Sequence, residues 1–409
     1  MKKRIKLVRN AVLILALAGL ANESWAQVKA PKFGKGIQIL GQDSTYYAKV
    51  GFRFQNLFVS EWDLVNDDFS QAKFQNSDFM VRRSRLKFDG WAVSPKLKWK
   101  LELALSNRDN GGGATSTEFN RAANIVLDAY VDWNFWKSFS IKFGQGKLPG
   151  NRERVISSGN LQLVDRSRLN SRYNIDRDVG FTLSNWTKLG KQFFIKEVAA
   201  VSQGEGRNIT SGHHGGFDFT YRVEFLPFGK FQSKGDYIGS SIKKESKPKL
   251  AIGVTYDNNQ NAVRNRGQLG SFIQDSTGAY FGKDLNTFMA DLMFKYQGLS
   301  VMAEYADKST GDNNPFVLDG SGNKIGTFYT GTGLSVQAGF MFKSNWEPVF
   351  RYTDITPQSG VANAETQYTF GLNKFVVGHK LKIQTDLTYR SINGSDDQLF
   401  FRTQLDIHF

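Results

Sequence analysis

The chain contains no cysteine. Disulfides and thiolate sites are therefore excluded, and so is a fold that relies on cross-links. Histidine is nearly as scarce, with only His213, His214, His379 and His408. None has an evident serine partner and no Gly-x-Ser-x-Gly element occurs, so a hydrolase has no visible nucleophile. Proline is limited to eight residues against 40 glycines. After residue 26 no apolar run approaches the roughly 20 residues that a membrane-spanning helix needs. A long amphipathic helical period is also missing. No residue pattern asks for a cofactor or a metal.

What is present begins with a basic leader. MKKRIKLVRN carries Lys2, Lys3, Arg4, Lys6 and Arg9, followed by the eleven-residue apolar run AVLILALAGLA and the small-residue site SWA ending at Ala26. This is the layout of a cleaved export signal over 1–26, with the mature chain expected from Gln27 to Phe409 as one domain. The whole chain has a formal net charge of +15. A basic exported protein attracts anionic solutes or lipid head groups, and export excludes nucleic acid as a partner.

Aromatic residues are abundant, with 34 Phe, 14 Tyr and 8 Trp, yet the mean hydropathy is only −0.40. The apolar residues are dispersed, one position in two. In KLKWKLELALS, Leu97, Trp99, Leu101, Leu103 and Leu105 alternate with Lys98, Lys100 and Glu102. IVLDAYVDWNF sets Leu127, Ala129, Val131, Trp133 and Phe135 against Asp128, Tyr130 and Asp132. Such a period of two marks strands with one apolar and one polar face. About sixteen such segments recur, joined alternately by tight connections near Lys137, Gly298 and Ser344 and by long polar ones over 106–123, 258–284 and 307–331. That pattern predicts an all-β, transmembrane, antiparallel barrel of about sixteen strands. Trp62, Trp91, Trp133, Trp136, Trp186 and Trp346 near segment ends suit membrane interfaces, where a ring is half buried and half wet. A soluble β-sandwich also alternates, but gives no reason for aromatic segment ends.

The final run, DQLFFRTQLDIHF, alternates to Phe409, with Leu399, Phe401, Leu405 and Ile407 on the same face. A closed barrel leaves no edge, so such a strand pairs with the first. The ending resembles the C-terminal signature by which barrel-assembly machinery recognises outer-membrane proteins, with Phe409 as the signal residue.

Between residues 78 and 185 the chain carries a set of motifs: Asp128-Ala129-Tyr130, Gly144-Gln145-Gly146-Lys147-Leu148-Pro149, Ser157-Ser158, Asp165-Arg166 and Arg177-Asp178-Val179-Gly180, preceded by FMVRRSRLKFDGWA at 79–92. Together these resemble the phosphate-selective porin O and P family. The resemblance implies a sixteen-strand outer-membrane barrel of a Gram-negative-type bacterium, a homotrimer, with a long third loop folded into the lumen. The function expected on that basis is passive diffusion of small hydrophilic solutes or anions through a water-filled channel. A plugged barrel serving as an adhesin is the alternative. A TonB-dependent transporter is not expected, because the chain is too short for about 22 strands.

The candidate constriction loop covers about 148–176. It contributes Arg152, Arg154, Arg166, Arg168 and Arg172, and the polar parity of neighbouring strands adds Arg83, Arg85, Lys87, Lys98, Lys100 and Lys142. Cations at a narrowing lower the cost for an anion that sheds part of its water. Asp128, Asp132 and Asp165 are the candidate acids that pin the loop to the wall instead. Composition leaves both outcomes open.

Overall fold

The computed structural model describes residues 26–29, 32–106, 109, 124–209 and 212–409. The proposed export signal, apart from Ala26, and nearly all of the 106–123 connection lie outside the described residues. Sixteen strands form one closed antiparallel ladder: β1 (Tyr46–Leu64), β2 (Ala72–Ala92), β3 (Ser94–Ala104), β4 (Val126–Trp136), β5 (Phe139–Lys147), β6 (Arg177–Leu189), β7 (Phe193–Ser202), β8 (Asp218–Leu226), β9 (Lys249–Ala262), β10 (Lys283–Tyr296), β11 (Leu299–Thr310), β12 (Gly331–Phe340), β13 (Trp346–Pro357), β14 (Glu365–Phe375), β15 (Leu381–Ile392) and β16 (Ser395–His408). β16 pairs with β1 from Asp397 opposite Leu64 to His408 opposite Arg53. A short strand at Ile37–Gly41 takes over that edge of β1, opposite Tyr47–Val50, and itself pairs with Ala26–Lys29.

The burial pattern is inverted relative to a water-soluble domain. On β14, Thr369 and Asn373 are fully buried while Phe370 is 56% exposed, with Tyr368 and Leu372 also exposed. Glu365, Gln367, Gly371 and Phe375 complete the buried face. The same inversion repeats on β9, β10, β12 and β13. An apolar outer face with a polar inner face is stable only where hydrocarbon surrounds the barrel. No described helix is long and apolar enough to cross a membrane; the crossing is made by strands.

Two strands are longer than the alternation suggests. β1 has 19 residues and β2 has 21. Their pairing shifts register at Gln55/Asn56 and again at Glu61/Trp62. A bulge inserts one residue and exchanges the two faces, so the alternation changes phase in mid-strand and the sequence pattern fades there.

Connections differ between the two ends of the barrel. One end carries 65–71, 148–176, 203–217, 263–282 and 311–330. The other has tight turns at 137–138, 190–192, 297–298 and 341–345, with one exception, the long connection 227–248.

Candidate functional site

After Lys147, the sequence Leu148-Pro149-Gly150 ends β5, and the chain continues through two short helices, α1 (Arg152–Val155) and α2 (Arg168–Tyr173), before β6 begins. Ser167 caps α2, its Oγ accepting from the Asn170 amide at 3.2 Å. Glu153 joins the two helices: its carboxylate accepts from the Ser167 amide at 3.0 Å and from Ser167 Oγ at 2.6 Å.

The segment is seated by apolar residues that interrupt the polar face of the ladder. Leu148, Leu169, Tyr173 and Ile175 contact Ala200, Met289, Ala306 and Ile355. Ile156 and Leu161 contact Leu226, Ala251, Met293 and Met302. Small residues supply the remaining space. A side chain on Gly371 would collide with Leu163, and one on Gly339 with Gln162.

Polar tethers then reach strands far from the loop's roots. Arg152 Nε donates to Asp291 at 2.6 Å, Arg168 forms a two-pronged pair with Glu365 at 2.9 Å, and Arg172 Nε shares that carboxylate at 3.0 Å. The Glu153 amide donates to Glu304, and the Val164 amide to Asp386 at 3.2 Å.

Beside this segment lies a cavity of about 600 Å³ whose lining includes twelve arginines and Lys147 against five carboxylates. Asp165 is the hub of one cluster, paired with Arg82 at 2.9 Å, Arg83 at 3.2 Å and Arg402 at 3.7 Å. Burial opposes ionisation of Asp165, but these three guanidinium groups outweigh it and hold the carboxyl well below its ordinary value. Arg154 and Arg177 do the same for Asp176.

Other cations are fixed by neutral groups. Arg166 donates to the carbonyls of Glu153 at 2.8 Å and Ile156 at 2.7 Å. Lys147 donates to the carbonyls of Arg154, Val155 and Ile156 at 2.7–3.2 Å. Arg207 donates to Asp109 O at 2.8 Å, and Arg266 to Ser171 O. Among the described residues these four form no ion pair with a carboxylate. Burial, then Arg154 and Arg83, push the Arg166 guanidinium well below its usual range. Burial is also the largest cause that brings Arg207 down to about 10. These groups are held in place by neutral carbonyls, with no carboxylate of the described residues at ion-pair distance.

Of the residues expected from sequence, Arg83, Arg85, Arg154, Arg166, Arg168 and Asp165 line this cavity. Arg85 donates to Asp109 at 2.9 Å and to Ser158 Oγ at 3.0 Å. Arg172 stands alongside, 5.2 Å over the Tyr329 ring. Arg152 is fully buried away from the cavity. Lys100 pairs with Glu102 at 2.8 Å and with Asp128, and Lys142 donates to Lys147 O at 2.9 Å; neither lines the cavity. Lys87 pairs with Asp89 at 3.0 Å, and Lys98 sits opposite Asp132 in register, both toward the short-turn end. Asp128 bonds Arg177 at 2.6 Å, so it ties strands to one another. Asp132 makes no ion pair among the described residues.

Several cavity residues were not among those expected from the sequence. Arg82 is the residue skipped where Gln55 faces Arg83 and Asn56 faces Val81; the bulge turns it toward Asp165. Arg207, Arg266, Arg351, Arg390 and Arg402 come from loops and strands distant in sequence. Arg351, Arg390 and Arg402 lie on the polar parity of their strands, which carried a usable signal; Arg207 and Arg266 in the loops carried none.

The model of phosphate-selective porins O and P matches residues 54–398. The chain belongs to the phosphate-selective porin O and P family. It is an outer-membrane porin, a channel rather than an enzyme. The family motifs surround both roots of the 148–176 segment: Asp128-Ala129-Tyr130 on β4, Gly144–Lys147 on β5 and Arg177–Gly180 on β6. An uncharacterised protein of Aquifex aeolicus (strain VF5) is 23% identical over the full length of both chains. Among solved structures, an anion-selective porin from Comamonas acidovorans has a TM-score of 0.51 at 10% identity, covering 89% of this chain and all of its own. The DcaP channel of Acinetobacter baumannii has a TM-score of 0.51 at 12% identity, covering 90% and 99%. These likenesses concern the fold.

Proposed function

We propose that the 148–176 segment folds into the lumen of this porin and narrows it to an arginine-rich passage that favours small anions. One observation carries the reading: cations on the cavity wall such as Arg166, Arg207 and Arg266 are anchored by neutral carbonyls, so anchoring leaves their charge in place. Pinning and anion attraction are then compatible. An anion entering a ring of crowded guanidinium groups relieves their mutual repulsion and replaces part of its lost hydration. Planar guanidinium forks suit oxyanions such as phosphate and carboxylate.

The wider setting is an outer-membrane homotrimer exported by the 1–26 leader; an outer-membrane protein of Vibrio cholerae with a similar fold is described in a trimer form. The test is planar-bilayer conductance of the refolded chain in a salt gradient. Steps that reverse toward the chloride potential, and a chloride current that millimolar phosphate reduces, are the expected result. Reversal toward the cation potential would remove the anion preference. A folded barrel that gives no steps would favour a plugged adhesin.

A further inference from the structure

The long connection 227–248 stands out because it lies at the end where neighbouring strands are joined by tight turns. Joining β8 to the adjacent β9 does not require that length, and a solvated loop would be exposed. Instead Phe231, Gly235, Asp236, Ser240, Ser241 and Glu245 are buried. The buried Lys295 of β10 holds the segment through three carbonyls, those of Gly235, Ile238 and Ser240, at 2.6–2.8 Å. Ser240 Oγ donates to Glu347 of β13 at 2.7 Å.

The segment also meets the 148–176 segment directly. The Gly239 amide donates to Asn160 O at 2.8 Å. Arg152 Nη1 donates to Asp236 O at 3.2 Å, and its guanidinium lies 5.3 Å over the Tyr237 ring. Gln162 donates to the other oxygen of the Glu347 carboxylate that Ser240 uses, at 2.8 Å. Approach at Gly239 is so close that a β-carbon there would sit 2.8 Å from the Gln162 amide nitrogen. No residue of 227–248 lines the arginine-rich cavity. Residues 227–248 contact β7, β8, β10 and β13, whereas the strand residues that line the cavity lie mainly on β1, β2, β15 and β16.

We propose that residues 227–248 form a second internal barrier, entering from the short-turn end, which seals one side of the barrel and fixes the tip of the 148–176 segment. Solutes are thereby confined to the arginine-lined side. This rests on the porin reading above, with 148–176 as the constriction. Arg152, whose charge is buried, serves here as a positioning residue: it joins the two segments.

The experiment replaces residues 229–247 of the full chain by a short turn and records single-channel conductance and reversal potential. Retention of the heat-modifiable, fast-migrating form on gels shows that the barrel has folded. At least a twofold rise in conductance with a lower anion-to-cation permeability ratio is expected, because the sealed side opens. Unchanged conductance in the folded variant would overturn the proposal. Should the replacement fail to fold, Tyr237→Ala in the full chain provides the second reading. It is expected to add open-channel noise and brief larger steps as the loop tip loses its support, and a quiet, wild-type trace would overturn the proposal equally. Arg166→Gln, measured in parallel, separates the two ideas. If it lowers anion preference while the barrier variants change nothing, the barrier fails and the porin reading stands.

Discussion

Arg152 and Arg166 sit in one loop and have opposite electrostatic fates. Arg152 is matched by Asp291 at 2.6 Å, in the same buried network as Arg222 and Glu224. Arg166 is held by two carbonyls. A matched buried charge presents little field to a passing ion, whereas an unmatched one retains it. Arg166→Gln should therefore reduce the anion-to-cation permeability ratio several-fold. Arg152→Gln should leave the ratio within about a factor of two but destabilise the barrel, because removing one partner of a buried pair costs roughly 3–5 kcal/mol. Reversal potentials together with denaturant unfolding of both variants in detergent check this pair of outcomes. A ratio that responds to Arg152 and not to Arg166 would overturn the assignment.

At the scale of elements, the turn between β14 and β15 holds an uncommon residue. His379 is buried against the Phe375 ring, 5.2 Å between centroids. Burial above all, then Lys382 and Lys295, lower its pKa well below 6.5. The native turn therefore keeps the imidazole neutral at pH values where an unfolded chain would already bind a proton. The unfolded state is then favoured as pH falls from about 6.5 toward the depressed native value, with a slope of up to ~1.4 kcal/mol per pH unit. Above pH 6.5 this group contributes no slope. Denaturant midpoints between about pH 7.5 and 4.5 should fall on acidification in the wild type. In His379→Gln they should fall less steeply. Equal slopes in both proteins would mean that His379 titrates normally.

For the whole molecule, closure is the decisive event. The seam between β16 and β1 is a continuous ladder, and the Phe409 amide extends it by donating to Phe52 O at 2.8 Å. The Phe409 ring lies 5.7 Å from Phe33 and 6.4 Å from Phe54, so it joins the last strand, the first strand and the N-terminal lead-in. Phe409→Ala removes these ring contacts but no backbone pairing. It should slow the appearance of the heat-modifiable barrel form several-fold while leaving single-channel conductance as in the wild type. An unchanged assembly rate would show that the backbone ladder alone directs closure.

Strand identity was legible because it is local. The pleat sends alternate side chains to opposite faces, so Leu97, Trp99 and Leu101 against Lys98 and Lys100 declare a membrane strand without reference to anything distant. The roots of the 148–176 loop were legible for the same reason, lying between two well-patterned strands. Arg82 was not, because a bulge is set by the pairing of two strands and reverses the faces where it occurs. Nor were the partners of the loop: Asp291, Glu304, Glu365 and Asp386 are inward carboxylates like others on the ladder, and only docking selects them. The buried path of 227–248 depends likewise on Gly239 meeting Asn160, a residue distant in sequence. Sequence by itself determined a porin-type barrel with a basic loop, since a period of two needs only neighbouring residues. Tertiary structure decided which cations are paired with carboxylates and which with carbonyls, since that depends on which distant group comes within hydrogen-bond reach.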